Sequence, residues 1–524
     1  MSRYNTLVNL TQYPVPALVA QRRMTAMFSD TPGETIQPYP YWLDDVIPVQ
    51  RGIKSVAWSR SARVSDPQGE GIPATLYYFP VKDSGTMHGM FTNNKFQFYN
   101  MATNQWETAL ELPSATRLPS RAYVRNESYL FVRGKGLYKV TEAGLTLQTV
   151  DWGSGVPAPT DLIGCASNAG YLVLYSAERV YWSSPTNPLV FEIQKGGVST
   201  GAGSALIQGL QGDILTIEPI SGGAIVYTNQ CAFSMRYTSN PLNPWAFAPV
   251  AGCAGIIRQW HIATTETGQT HFIWSVAGLQ SVAIGGAQAM LPEFTAYFAK
   301  DELHFWDDTV MTTTQISAKV DIKVSVLANN LLAFSVGPQG QPFEYCWLFD
   351  LQLGRWGRVT LKHWHIDVLV PVSNTTSVKY KDLADGNIRY QDLMARTYAS
   401  LVGDIEYSSE RPLRFSVYGS DGYNYQANFA DISKNSDAIV VIGDFRLTFN
   451  RMTEINEVLM NLVDGNASVT IISRETGINH LFKDTNKLGR FLGRVVGSTL
   501  TIVIRGDFEL TDVLVRLTSA GISN

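Results

Sequence analysis

An aromatic-marked strand that recurs along the chain constrains the fold more than any other feature. "FQFYN", "GLYKV", "RVYW", "MRY", "GLQSVAI", "CWLFD" and "NIRY" all read as strands. Tyr99, Tyr138 and Tyr181 stand 39 and 43 residues apart, and Leu348 and Tyr390 stand 42 apart. A four-stranded propeller blade takes about 40 to 50 residues. The intervals Tyr181 to Tyr237 and Val282 to Leu348 are longer, at 56 and 66 residues, and imply insertions between blades. Ahead of the marks lie partner strands such as "SYLFV", "GYLVLYS", "GAIVYT" and "HFIWSV", joined by short turns such as Arg133-Gly134-Lys135-Gly136. That is a repeated hairpin. Units of this kind bury one face on the next, and closing them into a ring leaves only short edges. The expected fold is all-β: a β-propeller of six or seven blades over residues 51–405.

The segment "ERVYWSSPTNPLVFE" shows how one unit works. Alternation sends Val180 and Trp182 to one face and Tyr181 to the other, so the aromatics fill space between blades. Asn187-Pro188 turns the chain, and Leu189 and Phe191 are expected to begin the next strand. "MRYTSNPLNPWAFAPV" repeats the pattern at 235–250. Trp182, Trp245, Trp274 and Trp347 are accordingly expected to be largely buried.

The ends read differently. Residues 406–524 keep strand alternation and lose the aromatic mark, which predicts a separate C-terminal β-sandwich with a hairpin turn at Asp464-Gly465. Residues 1–50, rich in Pro and Tyr, read as an extended arm and a candidate to complete a blade. "PEFTAYFAKDELHFW", 292–306, is the one helical segment: Pro292 suits a first turn, and Phe294, Tyr297, Phe298 and Phe305 share a face.

With 524 residues, 45% hydrophobic and 16% charged, the chain can build more than one core. A formal net charge of -4 and no run of five basic residues argue against a protein that grips nucleic acid. The N-terminal stretch lacks an apolar run of signal-peptide length, and no segment approaches the ~18 apolar residues of a membrane span. A soluble protein made in a cytoplasm, without membrane anchoring, is expected. Cys165, Cys231, Cys253 and Cys346 are far apart with no C-x-x-C pair, and read as buried free thiols.

Candidate chemistry is sparse. His363, His365 and Asp367 in "KHWHID" alternate along a strand, a spacing that a metal site on a sheet could use. No third histidine lies near in sequence, so they read as a rim or inter-blade polar cluster. Asp301, Glu302, His304, Asp307 and Asp308 form the densest acidic group, and read as helix-surface solvation rather than a cation site. "KDSGTMHGMF" lacks the spacing and the Trp of a sialidase-type Asp-box. Arg505-Gly506-Asp507 reads as a hairpin turn, and Gly201 and Gly203 as loop glycines. No catalytic, cofactor-binding or metal residue is assigned, and no enzyme activity is expected.

Taken together, "DTPGETIQPYPYWL", "RVYWSSPTNPLVF", "GDILTIEPISGGAIVYTNQCAFSMRY", "GGAQAMLPEF" and "LGRFLGRVVGSTLTIVIRGDFELTDVLVRL" resemble the tail nozzle proteins of short-tailed bacteriophages, also called packaged-DNA stabilisation or tail tubular proteins. The resemblance implies a hexameric ring in the virion tail that extends the portal and adaptor channel, retains packaged DNA and conducts it during ejection. Its implied partners are the portal and adaptor proteins, a tail fibre, needle or tip protein, and genomic DNA held weakly in the lumen. It brings no catalytic residues and no cofactor. The alternative from another class is a carbohydrate-binding or glycan-depolymerising propeller that uses exposed Trp and the carboxylates near 301–308.

Overall fold

The structure, a computed structural model, describes residues 3–9, 26–27, 40–49, 52–63, 73–81, 85–92, 95–100, 103, 105–112, 117–240, 243–265, 267–298, 302–304, 310–312, 320–327, 331–367, 416–428, 438–446, 451–477, 479–482 and 489–522. Five four-stranded antiparallel sheets follow one another in sequence. Blade 1 is Thr75–Val81, Gly85–Thr92, Lys95–Asn100 and Gln105–Glu111. Blade 2 is Ser120–Val124, Glu127–Val132, Gly136–Thr141 and Gly144–Leu147. Blade 3 is Gly164–Asn168, Tyr171–Tyr175, Arg179–Trp182 and Gly203–Leu206, and blade 4 runs from Ile214–Ile220 to Trp245–Pro249. Blade 5 runs from Ile262–Thr264 to Gly286–Ala289.

Blade 6 is Val320–Leu327, Leu331–Pro338, Tyr345–Asp350 and Arg355–Val359. Blade 7 closes the ring with strands from distant parts of the chain. His363–Asp367, Ser416–Gly419 and Tyr423–Asn428 are completed on the outside by Ala57–Arg63. Joining the first and last parts of the chain in one sheet locks the ring by backbone hydrogen bonds.

The packing carries the same count. Seven buried hydrophobic clusters occupy the seven interfaces between neighbouring blades. Between blades 3 and 4, for example, Val173, Tyr175, Val180 and Trp182 meet Ile217, Val226, Met235 and Trp245. Between blades 7 and 1, Trp364 and Tyr418 meet Leu76, Met90 and Trp106. Alternation along Arg179–Trp182 works as expected, with Val180 and Trp182 in one cluster and Tyr181 against the next, beside Trp152. The fourth strand of that blade is Gly203–Leu206 rather than 189–191, because a small hairpin, Gln194–Lys195 with Val198–Ser199, intervenes. Gly203 fits there since any Cβ would meet the Trp182 ring at 2.6 Å.

The blade 6 sheet does not end at Arg355–Val359. It continues through Val46–Val49 and Gly52–Ser55 into Leu500–Ile522 and Ala438–Arg446. Arg451–Ser473 and Leu500–Ile522, each 23 residues, form one long antiparallel pair. Its two halves enclose a common core of Ile455, Val458, Val469, Ile471, Ile502, Ile504, Val513 and Val515, which makes the C-terminal sandwich.

Several local expectations change. Residues 416–428, expected in the sandwich, belong to blade 7, and the first strand of the separate sheet is Ala438–Arg446. Asp464-Gly465 and Arg505-Gly506-Asp507 are not hairpin turns; both lie inside the long strands, where Gly465 pairs with Phe508 and Ala467 with Gly506. A Cβ at Gly506 would meet the Asn466 carbonyl oxygen at 2.4 Å, so the glycine serves close backbone approach at a bend. The helix spans only Pro292–Phe298; Glu302–His304 is extended and pairs with Val310–Thr312. Phe294 anchors the helix against Phe334 and Trp356. Asp301, Asp307, Asp308 and Tyr390 lie outside the described residues. Among the described residues, no helix is long and apolar enough to cross a membrane.

Candidate functional site

The densest group of buried ionisable side chains sits on the first strands of blades 6 and 7 and the segments beside them. Val320–Leu327 places Asp321 and Lys323 two residues apart, hence on one face of a strand otherwise rich in valine and isoleucine. Both are buried. Asp321 Oδ1 accepts from Trp260 Nε1 at 2.8 Å and from His261 Nε2 at 3.1 Å, with Arg258 Nε at 3.8 Å. Lys323 Nζ donates to the Ala74 carbonyl at 2.9 Å and to Thr75 Oγ1 at 3.0 Å, so it reaches from blade 6 to the start of blade 1. Burial pulls its ammonium down to about 7 against the opposing pull of Asp367 and Asp321.

His363 and His365 do not act as a pair. A register shift between them re-aims the strand. His363 Nδ1 donates to the Leu361 carbonyl at 2.8 Å, which leaves Nε2 to accept from Ser335 Oγ at 2.7 Å. His365 Nε2 lies 3.2 Å from Asp367 Oδ2, while its Nδ1 is buried with no hydrogen-bond partner among the described residues. Burial holds both imidazoles down to about 4. Among the described residues no group of His, Cys, Asp or Glu is arranged to hold a metal ion. His363 and His365 thus have separate partners, Ser335 and Leu361 for the one and Asp367 for the other.

Sequence reasoning missed Lys323, Asp321, His261 and His88. The signal was available for two of them: an Asp and a Lys inside the apolar run "VDIKVSVL" need a buried partner each. His88, on the second strand of blade 1, feels Asp367 across the junction, and burial lowers its titration. Elsewhere on the first strands, Glu218 in blade 4 accepts from Thr216 Oγ1 at 2.8 Å and is raised by burial.

Trp182, Trp245 and Trp347 are 5%, 2% and 0% exposed, as expected. Trp274 is only partly buried, because it packs edge-on against Phe294 and Phe298 at the margin of the core rather than inside it. The three enclosed indoles offer no open face on which a sugar could stack. Cys165 and Cys346 are buried and pushed up to about 12 by burial; Cys231 and Cys253 are only half-buried, and all four are free.

No family model matches the chain, and no curated protein matches it significantly. Among solved structures, it is similar to the extracellular domain of a two-component system protein from B. thetaiotaomicron, with TM-score 0.38, 8% identity, and coverage of 90% of this chain and 61% of that one. YCF48 bound to a D1 peptide gives TM-score 0.35 and 9% identity over 70% of this chain and 99% of that one. AztD of Citrobacter koseri gives 0.29 and 10% over 54% and 74%. The chain spans less than two thirds of the length of the first of these, and the propeller rests on the strand pairing and packing described above.

Proposed function

We propose that this chain is a structural subunit of a ring-shaped conduit, the hexameric tail nozzle of a short-tailed bacteriophage virion. The observation that carries the reading is the continuous sheet from blade 6 into the C-terminal sandwich. A load on the sandwich would reach the propeller through the strand pairs that join Val46 to Arg358 and Ile53 and Lys54 to Leu510 and Glu509, which suits a part that retains packaged DNA. The slight acidic excess, 45 Asp+Glu against 41 Lys+Arg, favours a lumen that lets phosphates slide rather than retaining them. A ring stacks unlike faces of neighbouring copies, so two different surfaces on each subunit meet. Adaptor and portal proteins would dock at one end, and a fibre, needle or tip protein at the other.

The test is electron microscopy and mass measurement of the purified protein, alone and mixed with a portal-adaptor complex, with DNA binding followed against salt. A six-fold ring on the adaptor with non-specific DNA affinity no tighter than about 10⁻⁶ M is expected. A monomer on the adaptor, or tight sequence-specific binding, overturns the reading.

A further inference from the structure

We propose that the junction of blades 6, 7 and 1 is an acid-sensitive lock, which opens the ring at its closure before the remaining blades loosen. Among the described residues, blade 7 alone takes one of its four strands from the other end of the propeller sequence, whereas Val46–Val49 and Gly52–Ser55 only extend the edge of blade 6, so the seam can open at blade 7 without breaking the four strands of another blade. Lys323 spans the junction: it starts on blade 6 and ends on the Ala74 carbonyl and Thr75 Oγ1 of blade 1. Three of the seven histidines in the chain face the same place, His363 and His365 from blade 7 and His88 from blade 1.

Each of these imidazoles is built to be neutral. A second proton on His365 would place an N–H at Nδ1, which has no acceptor among the described residues, with the Lys323 ammonium nearby. His88 likewise has a buried Nδ1 without a partner among the described residues, its ring set edge-on to Tyr78 at 5.3 Å. Protonating His363 would make Nε2 a donor, so the Ser335 hydroxyl would have to turn from donating to accepting while the buried imidazolium loses its hydration. The carboxylates at hand are already engaged. Asp367 takes the Nε2–H of His365. Asp321 takes Trp260 and His261, with Arg258 beside it. Acid therefore adds like charge around a buried lysine, and opening the seam relieves it.

The magnitude follows from linkage. A histidine that titrates near 6.5 when released and near 4 in place favours the open seam by about 30-fold at pH 5. Blades 2 and 3 contain no histidine and supply an internal reference.

Hydrogen–deuterium exchange of the full chain, compared at about pH 7.5 and about pH 5 after correction for intrinsic rates, tests the lock. Peptides covering 57–63, 363–367 and 416–428 should lose protection at pH 5 while those covering 120–147 and 164–206 keep it. His365→Gln, which retains an N–H towards Asp367 and cannot be charged, should reduce the acid-induced opening by about 30-fold. His88→Gln, a half-buried site on the neighbouring blade, should shift it the same way, and carries the test if the first variant does not fold. Protection of blade 7 at pH 5 equal to that of blade 3, or opening at an unchanged pH in the folded variants, overturns the proposal.

Discussion

Arg358 holds its guanidinium 4.4 Å from the centroid of the Trp42 ring, joining residues 316 positions apart. The same group stacks on Tyr345 at 4.4 Å and forms an ion pair with Asp44. Trp42 meets Trp347 edge-on at 6.0 Å. The strand Pro40–Asp44 also pairs with Ala438–Arg446, so this box ties the early chain, blade 6 and the sandwich together.

Truncating Arg358 should therefore cost more than a surface ion pair. Arg358→Ala leaves Asp44 half-buried without its cation and opens a gap between three aromatic rings, and a loss of about 3–5 kcal/mol is expected in denaturant titration. Arg358→Lys should recover little of it, since a lysine neither stacks in a plane nor presents a fork. A lysine variant as stable as the parent would refute the role of the planar group.

The tryptophans inside the blades give a second expectation. Trp182→Ala, Trp245→Ala and Trp347→Ala should each destabilise by about 3–5 kcal/mol. In the parent protein an aqueous quencher should leave those three indoles largely untouched. Free quenching of them in the folded protein would return stacking on a ligand to consideration.

Gly506 has φ 140° and no room for a Cβ beside the Asn466 carbonyl. Gly506→Ala should cost about 2 kcal/mol or more, borne by the sandwich rather than by blades 2 to 4. Exchange measurements that found the loss spread evenly over the chain would contradict that assignment.

His271, between blades 4 and 5, donates from Nε2 to the Pro219 carbonyl at 3.0 Å and so accepts at Nδ1 from the Tyr227 hydroxyl at 2.9 Å. Burial lowers it to about 4. The unfolded imidazole takes up its proton near 6.5, so the stability tied to this group is present above that pH and is lost as pH falls towards 4. The loss is about 3 kcal/mol for a group so fully enclosed. Denaturation of His271→Gln at about pH 7 and about pH 4.5 should show a smaller difference than the parent does. Equal differences would remove His271 from the account of acid stability.

Much of this was written locally in the chain. The spacing of Tyr99, Tyr138 and Tyr181 follows from the length of four short strands and their turns, and the alternation that buries Trp182 while turning Tyr181 to the other side follows from the two-residue period of a strand. These depend on neighbours in sequence, which is why they were legible. His363, His365 and Asp367 were recognisable as polar residues on an apolar strand, but their bulge and their separate partners, Ser335 and the Asp367–Lys323 group, were not.

Tertiary structure alone decided what those residues meet. Nothing in Ala57–Arg63 announces that it completes a sheet with Tyr423–Asn428, and nothing in Ala74 that its carbonyl caps Lys323. Gly465 and Gly506 look like turn residues because glycine serves turns and close backbone approach equally well, and only the partner strand across from each one settles which. Periodicity is a property of the backbone and can be read from the sequence; the partner of a buried charge is set by which distant surfaces exclude water together, and that is fixed only when the ring closes.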